Sequence, residues 1–116
     1  MFDSQHIKAD ADRGVLIVAI KSEKIAEYEA TIIQNEIAPL AKGMNWKVAL
    51  DFSAVGLIAS VGLGMLVSIN RTAKSNKGKV AIFKMNDSIR SVMKLTRLDS
   101  GFVIVADREA AVKSCA

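Results

Sequence analysis

Apolar residues along the chain gather into four short, nearly unbroken runs: Val15 to Ile20, Val48 to Phe52, Val80 to Phe83 and Phe102 to Val105. Each is rich in β-branched residues and barely alternates with polar ones. That is the pattern of strands covered on both faces in a largely parallel sheet. A further short strand is expected over His6 to Ala9, joined to the next through the turn-like stretch from Asp10 to Gly14.

Helical patterns fill the gaps. The first stretch has Ser22 as its expected N-cap and Gly43 as its stop, with Pro39 predicting a break or kink near Ile37 to Ala38. A second ends at Gly78. A third opens on Asn86 and Asp87 and closes at Gly101, and a short last one is capped by Asp107. Strands alternating with helices predict one α/β domain over residues 1–116, with a central mixed, mostly parallel sheet of about four or five strands and about four helices.

One stretch resists this simple reading. The nineteen residues from Phe52 to Asn70 carry no charge, which approaches the length of a membrane span. The strand-like run leading in, together with Gly56, Gly62, Gly64 and the serines at 53, 60 and 68, weakens that reading. The soluble alternative is a strand ending at Asp51 or Phe52, a loop to Ala59, and a helix capped by the hydroxyl of Ser60. On that helix Gly62, Leu66, Ile69 and Ala73 share the core face, and Gly64, Ser68, Arg71 and Ser75 share the opposite one. An exposed glycine inside a helix costs about 1 kcal/mol relative to alanine. Gly64 is therefore either a tolerated defect or a flat spot that another backbone approaches. The predicted core comprises Leu16, Val18, Val48, Leu50, Leu66, Ile69, Ile82, Val92 and Ile104.

Composition narrows the function. Across 116 residues, 51% are apolar and 24% charged, with one proline and seven glycines, which describes an ordinary globular domain rather than a disordered chain. A net charge of +4 is a mild excess, and no basic run is interleaved with aromatics, so a nucleic-acid footprint is not expected. The N-terminal stretch lacks the basic start and apolar run of a signal peptide. The single cysteine, Cys115, has no internal disulfide partner, and a cytoplasmic setting is expected. Enzyme chemistry finds little support. His6 is the only histidine and Cys115 has no histidine beside it in sequence. Neither G-x-G-x-x-G nor G-x-x-x-x-G-K-[ST] occurs around Gly62-Leu63-Gly64. No cofactor or metal is expected. Asp51, at a strand end, is expected to orient the loop leading to Ser60.

The residues from Lys47 to Asp99 resemble a STAS domain of the bacterial anti-sigma factor antagonist type, and the likeness extends over about residues 14–113. That family reads as a strand ending in Asp, a loop, Asp-Ser-Ser/Thr-Gly-Leu-Gly, a helix, a Gly, a strand, and a helix ending in a Leu-Thr-Gly-Leu-like turn. The counterparts here are Asp51, the run from Ala59 to Gly64, Gly78, Val80 to Phe83, and Leu95 to Leu98. The resemblance implies a partner-switching protein without enzymatic activity. It would bind an anti-sigma factor that is also a serine kinase, be phosphorylated at Ser60, release the kinase, and be reset by a phosphatase. The implied partner surface takes in Gly56, Ala59, Ser60, Val61, Gly62, Gly64 and Ser68, with Arg90, Lys94 and Arg97 on the following helix. Two departures stand out: Ala59 replaces the family's acid and Val61 its second hydroxyl. Ser60 is thus the one acceptor left in the motif, and the loss of the acid keeps an alternative open. In that alternative the chain is a non-phosphorylated STAS scaffold or a binding module of a sensory assembly.

Overall fold

The computed structural model describes residues 2–98 and 101–116. In chain order the elements are β1 (Phe2–Asp3), β2 (Ile7–Asp12), β3 (Val15–Ile20), β4 (Lys24–Ile25), α1 (Glu27–Lys42), β5 (Lys47–Asp51), β6 (Leu57–Ile58), α2 (Ser60–Ser75), β7 (Lys79–Phe83), α3 (Asp87–Leu95), β8 (Val103–Val105) and α4 (Arg108–Cys115). The main sheet runs β1-β2-β3-β5-β7-β8, and β4 and β6 form a separate two-stranded ladder. The pairings of β1 with β2 and β2 with β3 are antiparallel, and the other three are parallel. The expected mixed, mostly parallel sheet is present, with six strands instead of four or five.

Alternation along the strands sorts the side chains into two layers. Leu16, Val18, Val48, Leu50, Val80 and Ile82 join α1, α2 and α3 in the larger core cluster. Val15, Ile17, Ala49, Ala81 and Phe83 form the smaller one beneath α4, where two alanines leave room for the helix. Of the predicted core, Leu16, Val18, Val48, Leu50, Leu66, Ile69 and Ile82 are buried and Ile104 is half-buried. Val92 is a correction. The short helix α3 buries Ile89 and Met93, one turn apart, and leaves Val92 37% exposed.

The turn between β2 and β3 is Arg13-Gly14, with both residues in the left-handed region (φ 51° and 81°) that a two-residue hairpin requires. Arg13 grips Glu109 of α4 bidentately at 2.7 and 2.8 Å and Asp12 at 2.8 Å, while Arg108 reaches Asp12 at 3.3 Å. These guanidinium bonds hold the carboxyl groups of Glu109 and Asp12 below their ordinary values.

Three boundary expectations are corrected. Ser22 does not cap α1; its hydroxyl lies 2.9 Å from His6 Nδ1, and the chain first forms β4. The helix opens after Ala26, whose N–H is taken by Glu29 Oε1 at 3.0 Å. Pro39 does not break α1, which continues to Lys42. It falls in the last turn of the helix, where its missing N–H costs one intrahelical bond, to the carbonyl of exposed Asn35. Gly78 does not end α2, which stops at Ser75 with Asn76 as its C-cap. The left-handed residue after the helix is Lys77 at φ 61°, and a Cβ on Gly78 would stand 2.1 Å from the Trp46 carbonyl oxygen. Asp107 caps α4 as expected, accepting the Ala110 N–H at 2.9 Å. Of the stretch expected as the third helix, Asp99 and Ser100 lie outside the described residues.

Candidate functional site

The uncharged stretch resolves into a loop that follows β5, then β6 and most of α2. No helix among the described residues is long and apolar enough to cross a membrane. The loop leaves the carboxyl edge of the parallel strands, and most of its backbone N–H groups are tied. Asp51 Oδ1 accepts the Ser53 N–H at 2.9 Å, the loop-orienting role expected of it. Phe52 N–H reaches the Phe83 carbonyl at 3.0 Å, and the Val55 side chain is buried. The Glu23 carbonyl accepts from Gly56 at 2.7 Å and Leu57 at 3.0 Å, and the Ile25 carbonyl accepts from Ala59 at 2.9 Å.

That last bond corrects the capping assignment. It extends the β4–β6 pairing to Ala59, which keeps an extended conformation (φ −86°, ψ 169°) and becomes the N-cap without a side-chain hydrogen bond. Ser60 is therefore the first helical residue. It is exposed, and among the described residues its hydroxyl makes no hydrogen bond. The first turn of α2 holds no acidic residue, so the positive end of the helix dipole stands unopposed beside that hydroxyl.

The remaining expected surface positions divide. Gly56, Ala59, Val61 and Gly64 are exposed, and the space around Gly64 is open to at least 4 Å. Gly62 points inward, as its core-face assignment required, and it offers nothing to a partner. A Cβ there would lie 2.6 Å from Ile58 Cγ1 and 2.9 Å from the Ile25 carbonyl oxygen. Ser68 is half-buried against α1 and accepts a 2.9 Å hydrogen bond from Gln34 Nε2, which removes it from the free edge. Arg90, Lys94 and Arg97 are exposed on α3 and the turn after it.

Beside the Ser60 loop lies a small hollow of about 60 Å³ lined by Gly56, Leu57, Ile58, Ser88, Ile89 and Val92. Arg90 and Lys94 are not part of it. Leu57 (60% exposed), Val61 (44%) and Val92 (37%) are three of the five large apolar side chains exposed among the described residues. These three side chains lie on or beside the uncharged loop and the start of α2. Leu57, Ser88 and Val92 were missed from sequence. For Val92 the helical period suggested core, and nothing local joins Leu57 to α3.

The candidate enzyme residues lie elsewhere. His6 is buried against Ser22 and the Tyr28 ring, with ring centroids 6.0 Å apart. Cys115 is buried with its Sγ 3.5 Å from the Val48 carbonyl oxygen, and burial pushes its thiol up, away from the reactive thiolate.

Comparison with known proteins agrees with the fold. A Thermotoga maritima protein classed as an anti-sigma factor antagonist is 25% identical, with a TM-score of 0.81 over 94% of this chain and 93% of that one. An anti-sigma-factor antagonist (STAS) domain protein from Planctomyces limnophilus superposes at a TM-score of 0.85 with 17% identity, covering 98% and 100% of the two chains. The phosphorylated form of the Bacillus cell fate determinant SpoIIAA superposes at 0.70 with 14% identity, covering 93% and 98%. The family model for the STAS domain matches residues 6–111, and the chain belongs to the STAS domain family.

Proposed function

We propose that this STAS domain is an anti-sigma factor antagonist that works by partner switching in the cytoplasm. In its unmodified form it binds an anti-sigma factor that is also a serine kinase, through the loop from Gly56 to Ser60, the exposed start of α2 with Val61 and Gly64, and the neighbouring edge of α3. Phosphorylation of Ser60 by that kinase ends the complex, and a phosphatase restores it. The domain itself is a binding protein and carries out no catalysis.

The observation that carries this reading is Ser60 itself. It is an exposed, unbonded hydroxyl on the first residue of a helix, at the end of a loop held by backbone bonds on both sides, next to exposed Leu57 and Val61. A phosphate there adds about −1.5 to −2 charges. It would meet the free N–H groups and positive dipole of the first turn, so the fold tolerates it. A partner seated on the adjacent apolar side chains would instead have to bury or face a dianion, which is where the switch acts. SpoIIAA is known in phosphorylated and unphosphorylated forms, and the likeness to it supports the same reading.

Ala59 favours a second reading, a constitutive binder in a scaffold or sensory assembly, because the acid next to the acceptor is missing. Phosphopeptide mapping after incubation with the cognate anti-sigma kinase and ATP separates the two. One phosphate on Ser60 supports the switch, and tight binding without any phosphate supports the scaffold.

A further inference from the structure

Asn86 works for two segments at once. Its Oδ1 accepts the Ile89 N–H at 2.8 Å, the ordinary N-cap bond of α3. Its Nδ2 donates to the carbonyl oxygens of Val55 at 3.1 Å and Gly56 at 3.3 Å, in the loop that leads to Ser60. The next peptide groups of that loop are held from another side, because the N–H groups of Gly56 and Leu57 both donate to the Glu23 carbonyl. The loop is thus gripped between the chain entering β4 and the first turn of α3. A cap alone would accept Ser, Thr or Asp at this position, but none of these carries the two amide N–H donors.

We infer that Asn86 is a positioning residue for Ser60. Its amide donors fix the loop from Val55 to Ala59 against α3, so that Leu57, Val92 and the Ser60 hydroxyl present one rigid surface. The consequence for phosphorylation rests on Ser60 being the acceptor, as proposed above. The consequence for the loop does not.

Asn86→Ser and Asn86→Asp both keep a cap acceptor and remove the donors, and Asp also suits the helix N-terminus. Amide hydrogen exchange on the purified chain, without kinase, then reads the loop directly. In both variants exchange at Gly56 and Leu57 should accelerate about tenfold or more, as expected for losing two hydrogen bonds that hold a local segment. Ile89 should keep its protection, and the urea midpoint of Asn86→Asp should stay near that of the wild type. With the cognate kinase, phosphate incorporation at Ser60 should slow in both. Unchanged exchange at Gly56 and Leu57 would overturn the inference, as would acceleration shared equally by Ile89 and the central strands. Should Asn86→Ser fail to fold, Asn86→Asp decides alone. Should wild-type Ser60 take no phosphate, the proposed function fails while the exchange result still judges Asn86.

Discussion

Gly62 of α2 and Ile25 of β4 meet so closely that a methyl group on the glycine would stand 2.9 Å from the isoleucine carbonyl oxygen. That carbonyl also accepts the Ala59 N–H, so one backbone group both ends β6 and limits the residue three places further on. Two glycines of the same helix should respond oppositely to substitution. Gly62→Ala gains up to about 1 kcal/mol of helix propensity but overpacks a backbone contact, which typically costs roughly 1–3 kcal/mol, and a net loss is expected. Gly64→Ala enters open space and should stabilise by about 0.5–1 kcal/mol. Urea unfolding of the two variants checks the opposite signs.

Leu66 is fully buried and Val92 is 37% exposed, although helical periodicity assigned both to the core. Leu66→Ala should cost roughly 2–5 kcal/mol by transfer and cavity terms. Val92→Ala should change stability by no more than about 0.5 kcal/mol, as a surface substitution does. Equal effects in chemical denaturation would mean that α3 is turned differently on the sheet.

The bond between Arg13 and Glu109 predicts a pH signature. The Glu109 carboxyl is held below its ordinary value chiefly by the Arg13 hydrogen bond, so the unfolded chain binds its proton at higher pH than the folded one. The stabilisation is therefore complete above the unfolded carboxyl value and disappears as pH falls through the lowered, folded value. Glu109→Gln should be less stable than the wild type at neutral pH, with the gap closing under acid. A gap independent of pH in a series of urea midpoints would assign the effect to packing instead.

Gly64→Arg should weaken binding of the cognate anti-sigma kinase while leaving the unfolding midpoint nearly unaltered, because the new side chain projects into solvent space that a partner would fill. Ser68→Arg should act differently. It breaks the hydrogen bond from Gln34 and crowds α1, so stability should fall first. Comparing titrations with the kinase against unfolding curves distinguishes the two.

What the sequence made legible follows physical range. The four apolar runs became β3, β5, β7 and β8 because a buried strand needs continuous apolar residues whatever its neighbours are. Asn86 and Asp107 were readable as caps because an N-cap bond spans three residues. β4 and β6 were not, since two-residue strands have no period to detect. The capping error at Ser60 has the same origin. A carbonyl from Ile25, distant in sequence, keeps Ala59 extended and shifts the helix start by one residue. Ser68 sat on a free face in projection, and only Gln34 of another helix shows that the face is covered there. Residue types near Ser60 pointed to the site, while the hollow between Leu57 and Val92 needed tertiary structure.

One phosphate on Ser60 is expected to dissolve the complex with the kinase without unfolding the domain. The most direct measurement is the affinity of the cognate anti-sigma kinase for the unmodified chain and for the chain phosphorylated at Ser60, with an unfolding curve for each form. The phosphorylated form should bind at least tenfold more weakly, about 1.4 kcal/mol or more, with the unfolding midpoint nearly unchanged and Ser60→Ala binding as the unmodified chain does. Equal affinities for the two forms, with Ser60 shown to carry its phosphate, would contradict it.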